Sequence, residues 1–313
     1  MHMLLPFAAG ASEAGVQALH VLRLPQLEQL LSGLQPAAVT DGDEHTLNLP
    51  HEQLLAAAHG WAGGDGRWPF AAAGALADGV PVGDGEDGWG LLTPTHWQVG
   101  REQIVLRDPD ELALDDAESR ALLQAVRPLF ESEGWSLHWG AALRWYACHA
   151  SLRTLATASL DRVIGRAIDA WLPDRLAAQQ LRRLQSEVQM LLHSHPLNDA
   201  REARGALPVN SFWLSGTGIT QPLVDAASLP TIDGRLRAPL LAEDWASWAE
   251  AWHALDAGPI AELAARARRG EPVSLSLCGE RRARRFDAVA RSVWSRLTQR
   301  WRRVSAQAVL EPL

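Results

Sequence analysis

Short apolar segments and amphipathic patterns alternate along the first part of the chain. The apolar run at residues 3–9 predicts a buried β-strand, and leucines at helical spacing behind Pro25 predict a helix with one apolar face. A second helix is predicted over about 50–59. Gly, Asp and Pro are frequent between about 60 and 88, which is typical of a loop. The sequence therefore predicts a strand and two helices before a long connection.

The next segment has its own order of elements. Strands are predicted at 89–92 and 103–106, and a helix begins after Asp115, which is followed three residues on by a glutamate in a capping-box pattern. A further strand is predicted at 135–139. This β-β-α-β order predicts a small inserted α+β subdomain at 88–150.

The remaining sequence returns to long alternating elements. The strongest amphipathic helix is predicted from Pro173 to Pro196. Further strands are then predicted at 210–214 and 273–277. Helices are predicted at 243–254, at 258–269 and, as the last element, at about 289–301. Because strands alternate with helices, we expect an α/β core domain with a largely parallel sheet, formed by 1–87 and 151–313.

Composition restricts the possible functions. The net charge is -8, so the whole protein is not expected to bind nucleic acid. The sequence contains no lysine, which excludes Schiff-base and P-loop lysine chemistry. Two cysteines far apart, Cys148 and Cys278, favour a reducing compartment. No apolar run reaches the roughly 18 residues of a membrane span, so we expect a cytoplasmic protein without a membrane partner.

A distinctive polar and glycine pattern lies between His195 and Gly218. It contains His-Pro-x-Asn-x-x-Arg, then a glycine, Asn210, an apolar strand and a Gly-x-Gly turn. This pattern resembles the archaeal-type cofactor-independent phosphoglycerate mutases of the alkaline phosphatase superfamily. Weaker similarities to that family lie at 24–28, 67–70, 88–146 and 161–166. The chain also looks like proteobacterial proteins of the phosphoglycerate mutase-like, or regulation-of-pathogenicity-factors type E, family.

The resemblance implies a fold and a chemistry. The fold would be an alkaline phosphatase-like, mostly parallel α/β sheet flanked by helices, with a small inserted α+β subdomain. The chemistry would be phosphoryl transfer with two metal ions and a serine or threonine nucleophile. The family has an aspartate directly after its first strand, where this chain has Ala8, Ala9 and Gly10. The family's late Asp-x-x-x-His ligands correspond here to 278–282, a segment with two arginines that would repel a dication.

The expected nucleophile also differs. No serine lies between Gly33 and Glu118, and Thr46 is the weak catalytic candidate near the expected position. We therefore expect no metal and no cofactor, and a non-catalytic homologue with a regulatory or ligand-binding role, that is, a pseudoenzyme. The alternative is a divergent phosphoglycerate mutase or phosphatase that carries out phosphoryl transfer.

Two sets of residues are candidates for binding. Asn198, Arg201 and Asn210 would form a pocket for a small phosphorylated or carboxylate ligand, or would instead fix the local backbone. Gly216 and Gly218 would let backbone amides approach an anion, or would simply form a tight turn.

The second set is basic. Residues 281–303 hold nine arginines and one acid. The basic C-terminal helix predicted there would bind a protein partner, with nucleic acid less favoured, or would be a solvated amphipathic helix. The partner-binding candidates are Arg281, Arg282, Arg284, Arg285, Trp294 and Trp301.

Overall fold

The chain divides into two units in the computed structural model, which describes residues 1–83, 85–174, 178–288 and 304–313. The terminal unit consists of residues 1–45, 49–59 and 224–313. The middle unit consists of residues 46–48 and 60–223.

The elements follow one another in mixed order. In the described residues the strands are β1 (His2–Leu5), β2 (Gln35–Asp41), β3 (Gly88–Thr95), β4 (Trp97–Val99), β5 (Ile104–Leu106), β6 (Ser136–Ala141), β7 (Arg144–His149), β8 (Ser211–Ile219), β9 (Thr231–Ile232), β10 (Ser274–Cys278) and β11 (Arg282–Asp287). The α-helices are α1 (Glu13–Val21), α2 (Pro25–Gly33), α3 (Pro50–His59), α4 (Phe70–Ala77), α5 (Asp116–Glu131), α6 (Leu160–Val163), α7 (Gln179–His193), α8 (Pro196–Ala203), α9 (Arg237–Leu241), α10 (Trp245–Leu255), α11 (Ala261–Arg268) and α12 (Ala306–Leu310).

The sheet of the terminal unit has the order β2-β11-β10-β1-β9. Strand β1 is parallel to β9 and β10. Strand β11 is antiparallel to both β10 and β2, so β2 runs in the same direction as β1, β9 and β10. The predicted α/β class with a mostly parallel sheet is therefore confirmed.

Helices bury leucines and tryptophans against this sheet. Alternate residues of β1 and β10, among them Leu5 and Leu275, lie in one apolar cluster with Leu27 of α2 and with Trp248 and Trp252 of α10. At about 25 cal/mol per Å² of buried apolar surface, such side chains supply most of the favourable free energy of folding. The core of the terminal unit therefore lies between the sheet and these helices.

The middle unit is an antiparallel sheet with the order β6-β7-β3-β8. Helix α5 begins as predicted, because Oδ1 of Asp115 accepts a hydrogen bond from the backbone N–H of Glu118 at 2.8 Å. Its apolar face packs in one cluster with buried residues of α7 and of the sheet. The middle unit contains the predicted subdomain segment 88–150 and also β8, which pairs with β3 along its length.

Several predicted elements need correction. Residues 60–88 are not all loop, because the alanine-rich segment Phe70–Ala77 forms α4. The two helices predicted at 243–254 and 258–269 are joined by a π-helical turn, Asp256–Ile260.

No helix in the described part of the chain combines the length and apolarity that crossing a membrane requires.

Candidate functional site

A cavity opens at the carboxyl edge of the sheet in the terminal unit. Strands β1, β2 and β10 end at this edge because they run in one direction, and α/β sheets bind ligands at such edges. The cavity has a volume of about 470 Å³. Its lining comes from the segments that follow those strands and from the end of the described chain: Ala9, Gly10, Ala11, Val16, Gly42, Asp43, Glu44, His45, Arg281, Arg282, Glu311, Pro312 and Leu313.

The backbone after β1 is strained and closely packed. Phe7 is buried and has a φ of 59°, a left-handed conformation that is rare for a bulky residue. Its carbonyl oxygen accepts a hydrogen bond from Nε1 of Trp248 at 3.0 Å. A Cβ on Gly10 would lie 2.7 Å from Cη2 of Trp245, so only glycine fits there without movement. Strain of this kind is concentrated at binding and catalytic sites.

The turn between β10 and β11 brings two arginines to the cavity. Nη2 of Arg281 lies 3.4 Å from Oε2 of Glu44, and Nε of Arg282 lies 2.8 Å from Oδ1 of Asp41. The carbonyl oxygen of Leu313 accepts hydrogen bonds from the backbone N–H groups of Arg281 at 3.1 Å and Arg282 at 2.8 Å. The arginine backbones are therefore fixed, while both side chains are about half exposed.

Carboxylates lie beside these arginines. Oδ1 of Asp43 accepts a hydrogen bond from the backbone N–H of His45 at 2.9 Å. Oε1 of Glu311 lies 3.8 Å from Nε2 of His20, and Glu280 accepts a hydrogen bond from the backbone N–H of Ala11 at 3.0 Å. The site is therefore lined by charges of both signs.

The residues at this edge do not fit a pair of metal ions. Ala8, Ala9 and Gly10 come after β1, and Gly279, Glu280, Arg281 and Arg282 come after β10. Divalent metals need clustered oxygen or imidazole donors, whereas guanidinium groups repel them. In residues 1–83, 85–174, 178–288 and 304–313, no group of three or more His, Cys, Asp or Glu side chains is arranged to hold a metal ion.

The candidate nucleophile lies in a different segment. Thr46 is half-buried between β2 and α3 and lies outside the lining of the cavity. A catalytic role for Thr46 stays a prediction.

The polar residues of the distinctive segment bond to the protein itself. Nδ2 of Asn198 donates to the carbonyl oxygens of Leu192 and Val209, both at 2.8 Å, and its Oδ1 accepts from the N–H of Val209 at 3.0 Å. Asn210 pairs in the same way with the backbone of Trp97, at 2.7 and 3.0 Å. Both side chains thus pair with backbone groups of neighbouring segments, and ligand binding by them stays a prediction.

Arg201 has no exposed surface. Its guanidinium donates to the carboxylate of Glu118 and to the carbonyl oxygens of Leu112 and Leu207, the last at 2.9 Å. Exposed Arg204 pairs with the same carboxylate. The two-sided attachment of Arg201 joins α8 to the start of α5, and its proposed contact with a ligand is untested.

The two glycines of β8 allow close packing. Gly216 has a φ of 63° and Gly218 a φ of 155°. A Cβ on Gly216 would lie 3.0 Å from the backbone nitrogen of Ala71, and one on Gly218 would lie 3.2 Å from the carbonyl oxygen of Arg67. The structure thus brings these glycines against α4 and the segment before it, and anion binding by their amides stays a prediction.

Of the basic C-terminal candidates, the structure describes the four arginines but not the two tryptophans. Arg284 and Arg285 belong to strand β11, so this part of the predicted basic helix is wrong. Pairing of the segment with both β10 and β2 favours the strand there. Nε of Arg285 lies 2.8 Å from Oδ1 of Asp287. Trp294 and Trp301 lie outside the described residues, and partner binding by this set stays a prediction.

The middle unit contains a second cavity, of about 440 Å³, beside strand β6. At its rim Asp78 accepts hydrogen bonds from Arg144 at 2.8 and 2.9 Å and from the hydroxyl of Tyr146 at 2.7 Å. The bond from Arg144 lowers the pKa of the Asp78 carboxyl below its ordinary value. This network stabilises the end of α4 against β7, which is a structural role.

Sequence reasoning did not place Asp43 and Glu311 at the cavity in the terminal unit. Asp43, Glu44 and Glu311 stand in no motif, and 311 lies far along the chain from 43 and 44. The paired arginines after β10 are marked in the sequence by the local excess of basic residues.

The chain has distant structural relatives. No protein-family model matches the sequence, and no curated protein matches it. The cofactor-independent phosphoglycerate mutase from Thermoplasma acidophilum DSM 1728 is similar over 92% of this chain and 89% of its own, with 14% identity and a TM-score of 0.38. The PH0037 protein from Pyrococcus horikoshii is similar over 92% of this chain and 87% of its own, with 11% identity and a TM-score of 0.44. Both similarities are distant and concern the fold alone.

Proposed function

We propose that this chain is a ligand-binding protein that performs no phosphoryl transfer, on a scaffold like that of the cofactor-independent phosphoglycerate mutases. The observation that carries the proposal is the presence of Arg281 and Arg282 in the lining of the cavity at the carboxyl edge of the sheet. A guanidinium binds carboxylate and phosphate directly, whereas the family's route needs metal ions there. The ligand is a small charged metabolite held in the cavity of about 470 Å³.

A turnover assay tests the catalytic part of this proposal. The full chain is incubated with 3-phosphoglycerate and Mn²⁺, and formation of 2-phosphoglycerate and of free phosphate is followed. We expect no turnover above that of heat-denatured protein. Turnover that is abolished by Thr46→Ala would contradict the proposal and support the divergent mutase or phosphatase instead.

A binding screen tests the remaining part. Small charged metabolites, 3-phosphoglycerate among them, are added to the full chain and the thermal midpoint is measured. Ligands that bind the folded state raise this midpoint by mass action. We expect at least one compound to raise it in the wild type and in Arg266→Gln but not in Arg281→Gln. Arg266 is the matched control because it lies on α11, outside the cavity, and pairs with Glu262 at 3.2 Å.

A further inference from the structure

The charges around the cavity identify the kind of molecule that it can hold. Arg281 and Arg282 line it together with Asp43, Glu44 and Glu311. A small anion is attracted by the guanidinium groups and repelled by the carboxylates, and a small cation experiences the reverse. A ligand with a single charge is therefore complementary to only part of the lining, whereas a ligand with both charges can match all of it.

Arg281 is available to a ligand because its ion pair with Glu44 is long and exposed to water. Arg281 lies 3.4 Å from Glu44, with about half of the arginine side chain and more of the glutamate exposed. Exposed ion pairs contribute little to stability because water screens them and long side chains lose entropy on pairing. A carboxylate or phosphate oxygen of a ligand can replace Glu44 at the guanidinium, and it can form the planar two-bond contact that arginine favours.

The opposite charge is held close to the arginine turn. The carbonyl oxygen of Leu313 accepts hydrogen bonds from the backbone N–H groups of Arg281 and Arg282. Glu311 precedes Leu313 by two residues, so these hydrogen bonds hold its backbone near the arginines. The Glu311 carboxylate is half-exposed and lies 3.8 Å from the imidazole of His20. It is thus placed to accept hydrogen bonds from an ammonium group within the same cavity.

We infer that the cavity binds a small zwitterion, with its carboxylate or phosphate at Arg281 and its ammonium group at Glu311. The inference rests on the proposed function and adds the ligand class. The volume of about 470 Å³ is within the range of protein sites for small molecules. An α-amino acid and an amino-alkyl phosphate share the required chemistry.

Calorimetric titration of the full chain tests the ligand class. The probes are the common α-amino acids and phosphoethanolamine, so that carboxylate and phosphate zwitterions are separated. For every probe that binds, the matching carboxylate or phosphate without the amine, and the matching amine without the acid, are titrated. For alanine these comparators are propanoate and ethylamine.

The expected result is binding of at least one zwitterion, with both single-charge comparators at least about tenfold weaker, since each loses a charged hydrogen bond. Arg281→Gln and Glu311→Gln should each lower the affinity for the zwitterion by a similar factor. Arg266→Gln and Glu262→Gln, an exposed pair elsewhere in the terminal unit, should leave its affinity unchanged.

Other outcomes would overturn the inference in distinguishable ways. If a single-charge acid binds as well as the zwitterion and depends on Arg281 but not on Glu311, the ligand class is wrong and the proposed function stands. If none of the zwitterions binds, the ligand class is also wrong. Phosphoglycerate turnover in the separate assay would instead remove the proposed function itself.

Discussion

Arg201 illustrates how completely the surrounding protein can determine a charged side chain. It is fully buried, and its guanidinium is bound by one carboxylate and two backbone carbonyl groups. Burying a charge is costly unless it is paired and hydrogen-bonded, and Glu118 supplies the pairing here. The residue is therefore explained by stability before any ligand is considered.

Arg201→Gln is predicted to destabilise the protein by about 3–5 kcal/mol, because it leaves a mostly buried carboxylate without its principal partner. Chemical denaturation of the full chain measures this change. Arg204→Gln is the matched control: it removes the exposed partner of the same Glu118 carboxylate and should cost about 0–1 kcal/mol. Equal losses in the two variants would show that burial does not set the strength of the Arg201 contact.

The sequence identified Arg201 by its position in a motif and could not identify its partner. Glu118 lies 83 residues earlier, in the first turn of α5, where a capping glutamate was expected on local grounds alone. The glutamate does stand in that turn, but its carboxylate points to arginines of another segment. Long-range contacts of this kind depend on packing, which a local pattern does not contain.

At the scale of elements, the start of α2 is capped from outside its own sequence. Pro25 stands in the first turn of the helix, as predicted. The amide groups of Gln26 and Leu27 donate to the buried carboxylate of Asp256, at 3.2 and 2.8 Å. Asp256 opens the π-helical turn between α10 and α11, and this turn directs the carboxylate to α2. A distant residue thus satisfies donors that usually have a local cap.

Asp256→Asn and Asp244→Asn should respond to pH in opposite directions. Burial raises the pKa of Asp256, although the two amides and His253 oppose the shift and Glu28 adds to it. The stability advantage of wild type over Asp256→Asn should therefore fall as pH rises from about 4 through the raised pKa. Hydrogen bonds from Ser247 lower the pKa of Asp244, the cap of α10. The advantage over Asp244→Asn should instead be lost as pH falls below about 4.

Thermal midpoints of the three proteins across the acidic range measure these differences. If the difference in thermal midpoint between wild type and variant changed with pH in the same direction for both variants, burial would not dominate at Asp256 and hydrogen bonding at Asp244.

Helices with a regular apolar face were predictable, and short or evenly apolar elements were not. The leucine pattern located α2, and the capping pattern located α5. Segment Phe70–Ala77 forms α4 although its sequence is apolar nearly throughout and gives no helical period. Strand β11 is rich in arginine and is defined by pairing with neighbours on both sides, which no local propensity reveals.

At the scale of the whole molecule, the middle unit is continuous in sequence except for three residues. Its segment 60–223 contains its own apolar cluster, formed by α5, α7 and the β6-β7-β3-β8 sheet. Of the four strands of that sheet, the sequence predicts parts of β3, β6 and β8 and does not predict β7. The pairing of Ser211–Ile219 with β3 is a long-range contact, so no local pattern indicates that β8 belongs to this unit.

A fragment of residues 60–223 is therefore predicted to fold by itself. It should unfold cooperatively on heating and give a near-ultraviolet circular dichroism signal from its buried tryptophans, which include Trp135, Trp145 and Trp213. A fragment that ends at residue 150 lacks β8 and should show neither property. Cooperative unfolding of the shorter fragment alone would contradict the unit boundaries.

The proposed function depends on the chemistry at one edge of the sheet in the terminal unit, where Arg281 and Arg282 come after β10 and Ala8 to Gly10 come after β1. Guanidinium groups at that edge oppose the binding of dications and attract acidic groups of a ligand. Equilibrium dialysis of the full chain against Mn²⁺, followed by elemental analysis, tests this most directly. We predict that no stoichiometric metal is retained. Two Mn²⁺ ions held per chain would contradict the account.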